Sequence, residues 1–220
     1  MLTIGIGVRL LSRRAGQRSR LAWGVALVLW GAGALLAGAS YQAFSYAIKC
    51  AGRPTCAWTS WWEVGYLLLS AASVGAMVLG VAHACAAGRL RRALSAGAAA
   101  GGALYLVAVL TGALVPVRFL VSFELLLLFA APGFAALLAV NTKRWRHGRN
   151  PLDLALLRAW LGLAAAFGAY SLYHALGAGA ALWAKGLWFS ENDVLHVGLI
   201  VWMVHLAAAV APRLRDLPDA

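Results

Sequence analysis

Six apolar runs divide the chain, each long enough to cross a lipid bilayer as a helix: residues 21–45, 61–87, 93–115, 117–140, 152–176 and 194–210. A helix rises about 1.5 Å per residue, so about 20 apolar residues match a hydrocarbon layer roughly 30 Å thick. No water enters that layer to satisfy exposed peptide groups, and a helix satisfies its own. The expected fold is therefore all-α, a polytopic bundle of about six transmembrane helices. Composition supports this: 63% of the 220 residues are hydrophobic and only 12% are charged, too apolar for a water-soluble domain of this length.

The formal charge of +12 could point to nucleic acid, but such binding needs basic residues gathered on a water-facing surface. Here they lie in the short connections between apolar runs. The N-terminal segment (Arg9, Arg13, Arg14, Arg18, Arg20), the second connection (Arg89, Arg91, Arg92), the fourth (Lys143, Arg144, Arg146, Arg149) and the tail (Arg213, Arg215) hold fourteen of the nineteen. In a six-span chain these four segments share one side, and basic residues are retained in the cytoplasm. The expected topology has both termini inside a bacterial cytoplasmic membrane. A basic arm spans residues 1–20, the transmembrane domain 21–211 and a short tail 212–220, with the bilayer and no nucleic acid as partner.

The first run ends in Ala37-Gly38-Ala39, which resembles a signal-peptidase site. The run exceeds the roughly 7–15 residues of a cleaved signal, so it is read as a retained anchor. Residues 1–12 are either an interfacial segment or an upstream extension. Gly97-Ala-Ala-Ala-Gly101 in the third run is of the small-residue type that lets helix backbones approach, and Pro132-Gly133 should kink the fourth.

Between the first two runs the chain reads KCAGRPTCAWTSWWEV. Cys50 and Cys56 bracket a Gly-Arg-Pro turn on the expected external face, where a disulfide closing so short a loop is stable, while Cys85 lies at the reducing side. Trp58, Trp61, Trp62, Trp183 and Trp188 fit an aromatic belt at the headgroup level, or the mouth of a lipid-facing site.

Ionisable groups inside spans are costly and mark function by default. Glu63 opens the second span. Glu124 lies seven residues beyond the turn that starts the fourth, about 10 Å down a helix; there it must be protonated, paired, or exposed to a water-filled cavity. Tyr170, Tyr173 and His174 end the fifth span. In WFSENDVLHVG, Ser190, Glu191, Asn192 and Asp193 suit a helix N-terminus. His196 has no such explanation: one turn from Asp193, it is placed either to orient on that carboxylate or to make a polar helix contact. His205 falls about 180° around the helix from His196 and is expected to tie helices together.

The stretches SYQAFSYAIKCAGRPTCAWTSWWEV and LWFSENDVLHVGLIVWM resemble a group of uncharacterised bacterial multi-pass membrane proteins, which implies a class and no activity. A more distant resemblance, resting on His174, His196, Asp193 and nearby serines, is to the alkaline-ceramidase-like membrane hydrolases. It implies a zinc held by transmembrane histidines, but six spans are expected here where that family has seven, and its His-x-x-x-His pair is absent. A metal-dependent reading of the residues places zinc on His174 and His196, with Glu63, Asp193 or Glu124 completing the ligand sphere or activating water. Three functions follow. One is a hydrolase, metal-dependent in this reading, of a lipid or amphiphile from the outer leaflet. The second is a small transporter, proton-coupled carrier or membrane sensor using Glu124 and His196. In the third, a structural subunit, the polar groups only join helices.

Overall fold

The computed structural model describes residues 1–218. Among them the only regular structure is helical. Nine α-helices run in chain order: α1 (Leu2–Ser12), α2 (Arg18–Ala37), α3 (Ser45–Lys49), α4 (Trp61–Cys85), α5 (Gly88–Leu114), α6 (Phe123–Gly148), α7 (Pro151–Ala175), α8 (Ala178–Trp183) and α9 (Glu191–His205). Six helical stretches are long and apolar enough to span a membrane, the first and last being α2 and α9 with their short continuations to Ala43 and Arg213. The all-α six-span expectation therefore holds. The fourth span differs in its start: residues 115–122 form a connection containing a tight turn at Arg118–Val121, and α6 begins only at Phe123. Pro116 cannot donate to a continuing helix, and the chain needs this longer stretch to reverse. Pro132 lies within α6, and the helix runs on past it.

Two compact units are distinguished, Met1–Leu137 with the tail from Arg215, and Leu138–Leu214. The first is organised around α2 and α4. Gly80 on α4 makes room for Trp23 of α2, which is 1% exposed; a Cβ on Gly80 would stand 2.5 Å from the indole Cδ1. The buried Ser73 hydroxyl donates to the Ala26 carbonyl at 2.8 Å, an interhelical bond of the kind that joins helices in lipid.

The segment read as a basic arm contains α1, which folds back along α2. A Cβ on Gly7 would stand 2.8 Å from the Gly24 carbonyl oxygen, and one on Gly31 would stand 2.5 Å from Ile4 Cγ1. Contact at Gly31 carries α1 about 20 Å along the α2 axis at 1.5 Å per residue. Glycine is what permits backbones to come this close.

The Gly97–Gly101 run behaves differently. A Cβ on Gly97, Gly101 or Gly102 would meet nothing within 4 Å, so the face expected to receive a neighbouring helix receives none among the described residues.

At the start of α2 the tail supplies the cap. The Asp216 carboxylate accepts from the Arg18 and Ser19 amides, both at 2.7 Å, while the Asp216 amide donates to Gln17 Oε1 at 2.6 Å. Leu217 continues the clasp: its amide donates to the His83 carbonyl and its carbonyl accepts from Arg91, each at 2.9 Å. A carboxylate at a helix N-terminus answers the free amides and the dipole together. Burial pushes the Asp216 carboxyl upward, but the Ser19 side chain, the Ser19 and Arg18 amides and the nearby His83 outweigh it and hold the group below the usual carboxylate range.

Two outcomes follow from this packing. Gly80→Ala should destabilise the protein by about 1–3 kcal/mol through overpacking against Trp23, whereas Gly101→Ala should be neutral or slightly stabilising because alanine is the better helix former; thermal unfolding in detergent compares them. The clasp, having a folded carboxyl pKa below the unfolded value of about 3.9, should be intact at neutral pH and weaken as the pH falls through the folded value. Limited proteolysis of the C-terminus should therefore rise only under acid, and Asp216→Asn should bring that sensitivity to pH 7.

Candidate functional site

The expected disulfide closes: Cys50 and Cys56 are bonded, with Cα atoms 4.2 Å apart. The loop is held further by Lys49, which forms an ion pair with Glu63 and stands 5.4 Å from the Tyr41 ring centroid. Ser60 and Glu63 make a capping box at the start of α4, and Glu63 Oε2 also accepts from the Thr59 hydroxyl at 3.0 Å. Glu63 is thus buried and occupied by the loop. Its burial follows from position N3 of the helix, where a side chain reaches back to the cap residue. A fully engaged carboxylate is poorly placed to activate water.

Glu124 sits in the first turn of α6 and is exposed. The expected depth of about 10 Å assumed a helix beginning at Val117; with the helix starting at Phe123, the carboxylate lies at its end, where negative charge is favoured by the dipole.

In the second unit the polar residues at the α7 and α9 ends sort differently from the sequence pattern. Asp193 is taken by a capping box: its Oδ2 accepts from the Ser190 amide and hydroxyl, both at 2.7 Å. His196 does not turn to it. Its Nδ1 lies 2.7 Å from the Asn192 carbonyl of its own helix; a carbonyl only accepts, so Nδ1 carries the proton and Nε2 is the free nitrogen. His174 instead faces Glu191, with Nδ1 3.6 Å from Oε1 and side-chain exposures of 71% and 36%. The Tyr170 ring lies parallel to the His174 imidazole, 7° between planes and 6.5 Å between centroids. Tyr173 donates its hydroxyl to the Phe189 carbonyl at 2.7 Å, fixing the chain just before α9. Trp183 and Trp188 stack at 4.4 Å.

Glu191 was assigned from sequence to the helix cap alone. Its pairing with His174 depends on the turn through α8, which brings the end of α7 to the start of α9. Gly177, with φ of +61°, opens that turn in the left-handed region where glycine is at ease.

At the opposite end of α7, a network joins it to the last turns of α6. Asp153, fully buried, accepts from Asn141 Nδ2 at 3.0 Å and from Arg144 Nε at 3.0 and 3.1 Å. Trp160 donates to Asn141 Oδ1 at 3.0 Å. Every member has a partner, which is the condition under which a buried polar network stabilises. Nearby, His205 Nε2 lies 2.9 Å from the Ala155 carbonyl and ties α9 to α7. Neither Asp153 nor its partner Asn141 stands out in the sequence, because a single acid and a single amide near helix ends carry no pattern.

The zinc set inferred for His174 and His196 is not assembled. Among the described residues no group of three or more His, Cys, Asp or Glu side chains is placed to hold a metal ion. The donors show why: Glu63 and Asp193 are engaged by helix caps, His174 faces Glu191, and His196 has one nitrogen committed to the backbone. A tetrahedral catalytic zinc site needs three protein ligands, which these side chains do not supply together.

No family model, curated protein or solved structure matches the chain.

Removing the cation from the inner network should be severe: Arg144→Met leaves the Asp153 charge buried with a single amide partner, at a cost of about 3–5 kcal/mol. The double change with Asp153→Leu should recover much of that loss in the same thermal unfolding assay.

Proposed function

We propose that this protein acts on a lipid or other amphiphile at the extracytoplasmic surface of a bacterial cytoplasmic membrane, with both termini inside and His174 exchanging the proton. The observation that carries the reading is the His174–Glu191 pair at 3.6 Å. A carboxylate beside Nδ1 favours the neutral tautomer with Nδ1 protonated, which leaves Nε2 as the basic nitrogen. In hydrolysis, water attacks the ester or amide carbonyl as Nε2 takes its proton, and the same nitrogen returns that proton to the leaving alkoxide or amine.

The setting supports an interfacial substrate. Trp183 and Trp188 are exposed and have the amphipathic character of residues that sit at headgroup level. The concentration of basic residues in the expected cytoplasmic connections, and a disulfide in the opposite loop, support the orientation. Resemblance to bacterial multi-pass proteins supports the choice of membrane.

Acyl-ester and acyl-amide amphiphiles presented in nanodiscs test the reading by release of the free acid. His174→Gln should lower the rate by about 10²- to 10⁴-fold, the usual contribution of a positioned acid or base, and Glu191→Gln should cost less. Turnover unaffected by His174→Gln, or no turnover of any such substrate by the intact protein, would overturn it in favour of a structural subunit.

A further inference from the structure

In the first unit a pocket of about 470 Å³ lies between the loop closed by Cys50–Cys56 and the adjoining ends of α4 and α5. Ile48, Val64 and Ala113 give it an apolar lining, and Trp58, Trp61 and Trp62 stand in its wall. Both helices are candidate membrane spans, and the pocket sits at their ends, where a span meets the lipid headgroups. Tryptophan favours that level because its ring is apolar and its N–H polar.

The charges here do not cancel. Between Ser45 and Val64 the chain carries Lys49, Arg53 and Glu63. Lys49 and Glu63 form an ion pair, and Glu63 Oε2 also accepts from the Thr59 hydroxyl at 3.0 Å and the Ser60 amide at 3.2 Å. Arg53 is left over. It lines the pocket and is exposed, and among the described residues its guanidinium has neither a carboxylate partner nor a hydrogen bond. The loop nevertheless holds its backbone in place. The Arg53 amide donates to the Cys50 carbonyl at 3.1 Å and the Ala57 amide to the Lys49 carbonyl at 2.9 Å, while Gly52, with φ of +70°, makes the turn.

The other polar side chains in the wall add donors. The Ser60 hydroxyl accepts from the Glu63 amide at 3.4 Å and keeps its own proton for a further acceptor. Indole N–H groups can only donate. No carboxylate lines the pocket among the described residues. A guanidinium fork, a hydroxyl and indole N–H groups together call for an anion with several oxygens, and the fork matches two oxygens of one phosphate. An ammonium-bearing headgroup finds no counter-charge, because Lys49 already occupies Glu63. The apolar lining suits the glycerol and first methylenes of a lipid and offers a free phosphate ion nothing. In size the pocket falls within the roughly 300–1,000 Å³ of small-ligand sites.

We infer that this pocket binds the headgroup of an anionic phospholipid that carries no ammonium, of the phosphatidylglycerol class, with the Arg53 guanidinium on its phosphodiester. The Ser60 hydroxyl donates to the same group, and the acyl chains remain in the bilayer. The site does not use His174 and stands whether or not the protein is a hydrolase.

The test titrates the full chain in detergent, disulfide intact and ionic strength fixed, with phosphatidylglycerol or phosphatidylcholine bearing the same diazirine-tagged chains. Cross-linked peptides are then mapped. Phosphatidylglycerol should label residues 45–66 at a half-saturating concentration about tenfold below that of phosphatidylcholine, the scale of one charge-assisted hydrogen bond. Arg53→Gln should remove that advantage and leave labelling by phosphatidylcholine unchanged. Labelling of the basic segments at residues 88–92 and 143–149 by either lipid should also stay as it was. Arg53 is exposed and makes no side-chain bond, so the variant should keep the unfolding temperature of the parent; Arg53→Glu provides a second variant and should favour phosphatidylcholine. Inorganic phosphate in large excess should not displace the lipid. Equal labelling of residues 45–66 by the two lipids, or an advantage that survives both Arg53 variants, would mean an ordinary aromatic belt in bulk lipid. Displacement by inorganic phosphate would mean that a free phosphate compound is the ligand. Any of these three results overturns the inference.

Discussion

Peptide groups in hydrocarbon have no solvent to bond with, and that one constraint governs the rest of the structure. It makes every long apolar segment a helix and leaves the polar atoms at helix ends as the places where bonding must be arranged locally. Much of the acidic chemistry in this chain serves that purpose. Glu63 and Asp193 complete capping boxes, and Asp216 caps α2 from the far end of the sequence. What remains after these obligations is small: an exposed His174–Glu191 pair, the exposed Glu124, the second ring nitrogen of His196, and, among the described residues, an unpartnered buried hydroxyl on Tyr105.

Once helices are formed, apolar surface alone gives them little reason to associate in lipid, since the lipid is as apolar as they are. Close backbone approach and a few interhelical hydrogen bonds take over. Gly80 against Trp23, Gly7 against Gly24 and Gly198 against Ala166 supply the first. Ser73 to Ala26, His205 to Ala155 and the Asp153 network supply the second. The Gly97–Gly101 face has the same composition as these seams and the opposite role: with no helix against it among the described residues, absence of side chains creates volume instead of contact.

How far the sequence could be read depended on the range of the interaction concerned. The span segments were legible because hydropathy is a local sum, and the Cys50–Cys56 bridge because six residues cannot separate two thiols far. The Ser190–Asp193 cap was legible for the same reason. Glu124 was counted down a helix starting at Val117, whereas the connection through residues 115–122 moves that start to Phe123 and puts Glu124 in the first turn of α6. Of the two roles open to His196 the polar helix contact is the one made, because the Ser190 amide and hydroxyl hold the Asp193 carboxylate at short range.

By itself the sequence determined that this is a six-span helical membrane protein with a stapled loop and capped helix starts, since hydropathy, chain reach and capping act over one helical turn or one loop. Tertiary structure alone decided which glycines pack and which stand open, that Glu191 answers His174, that Asn141 and Arg144 answer Asp153, and that the tail clasps α2. Those outcomes depend on which side chains meet after the chain has reversed direction, and no periodicity along the sequence records that.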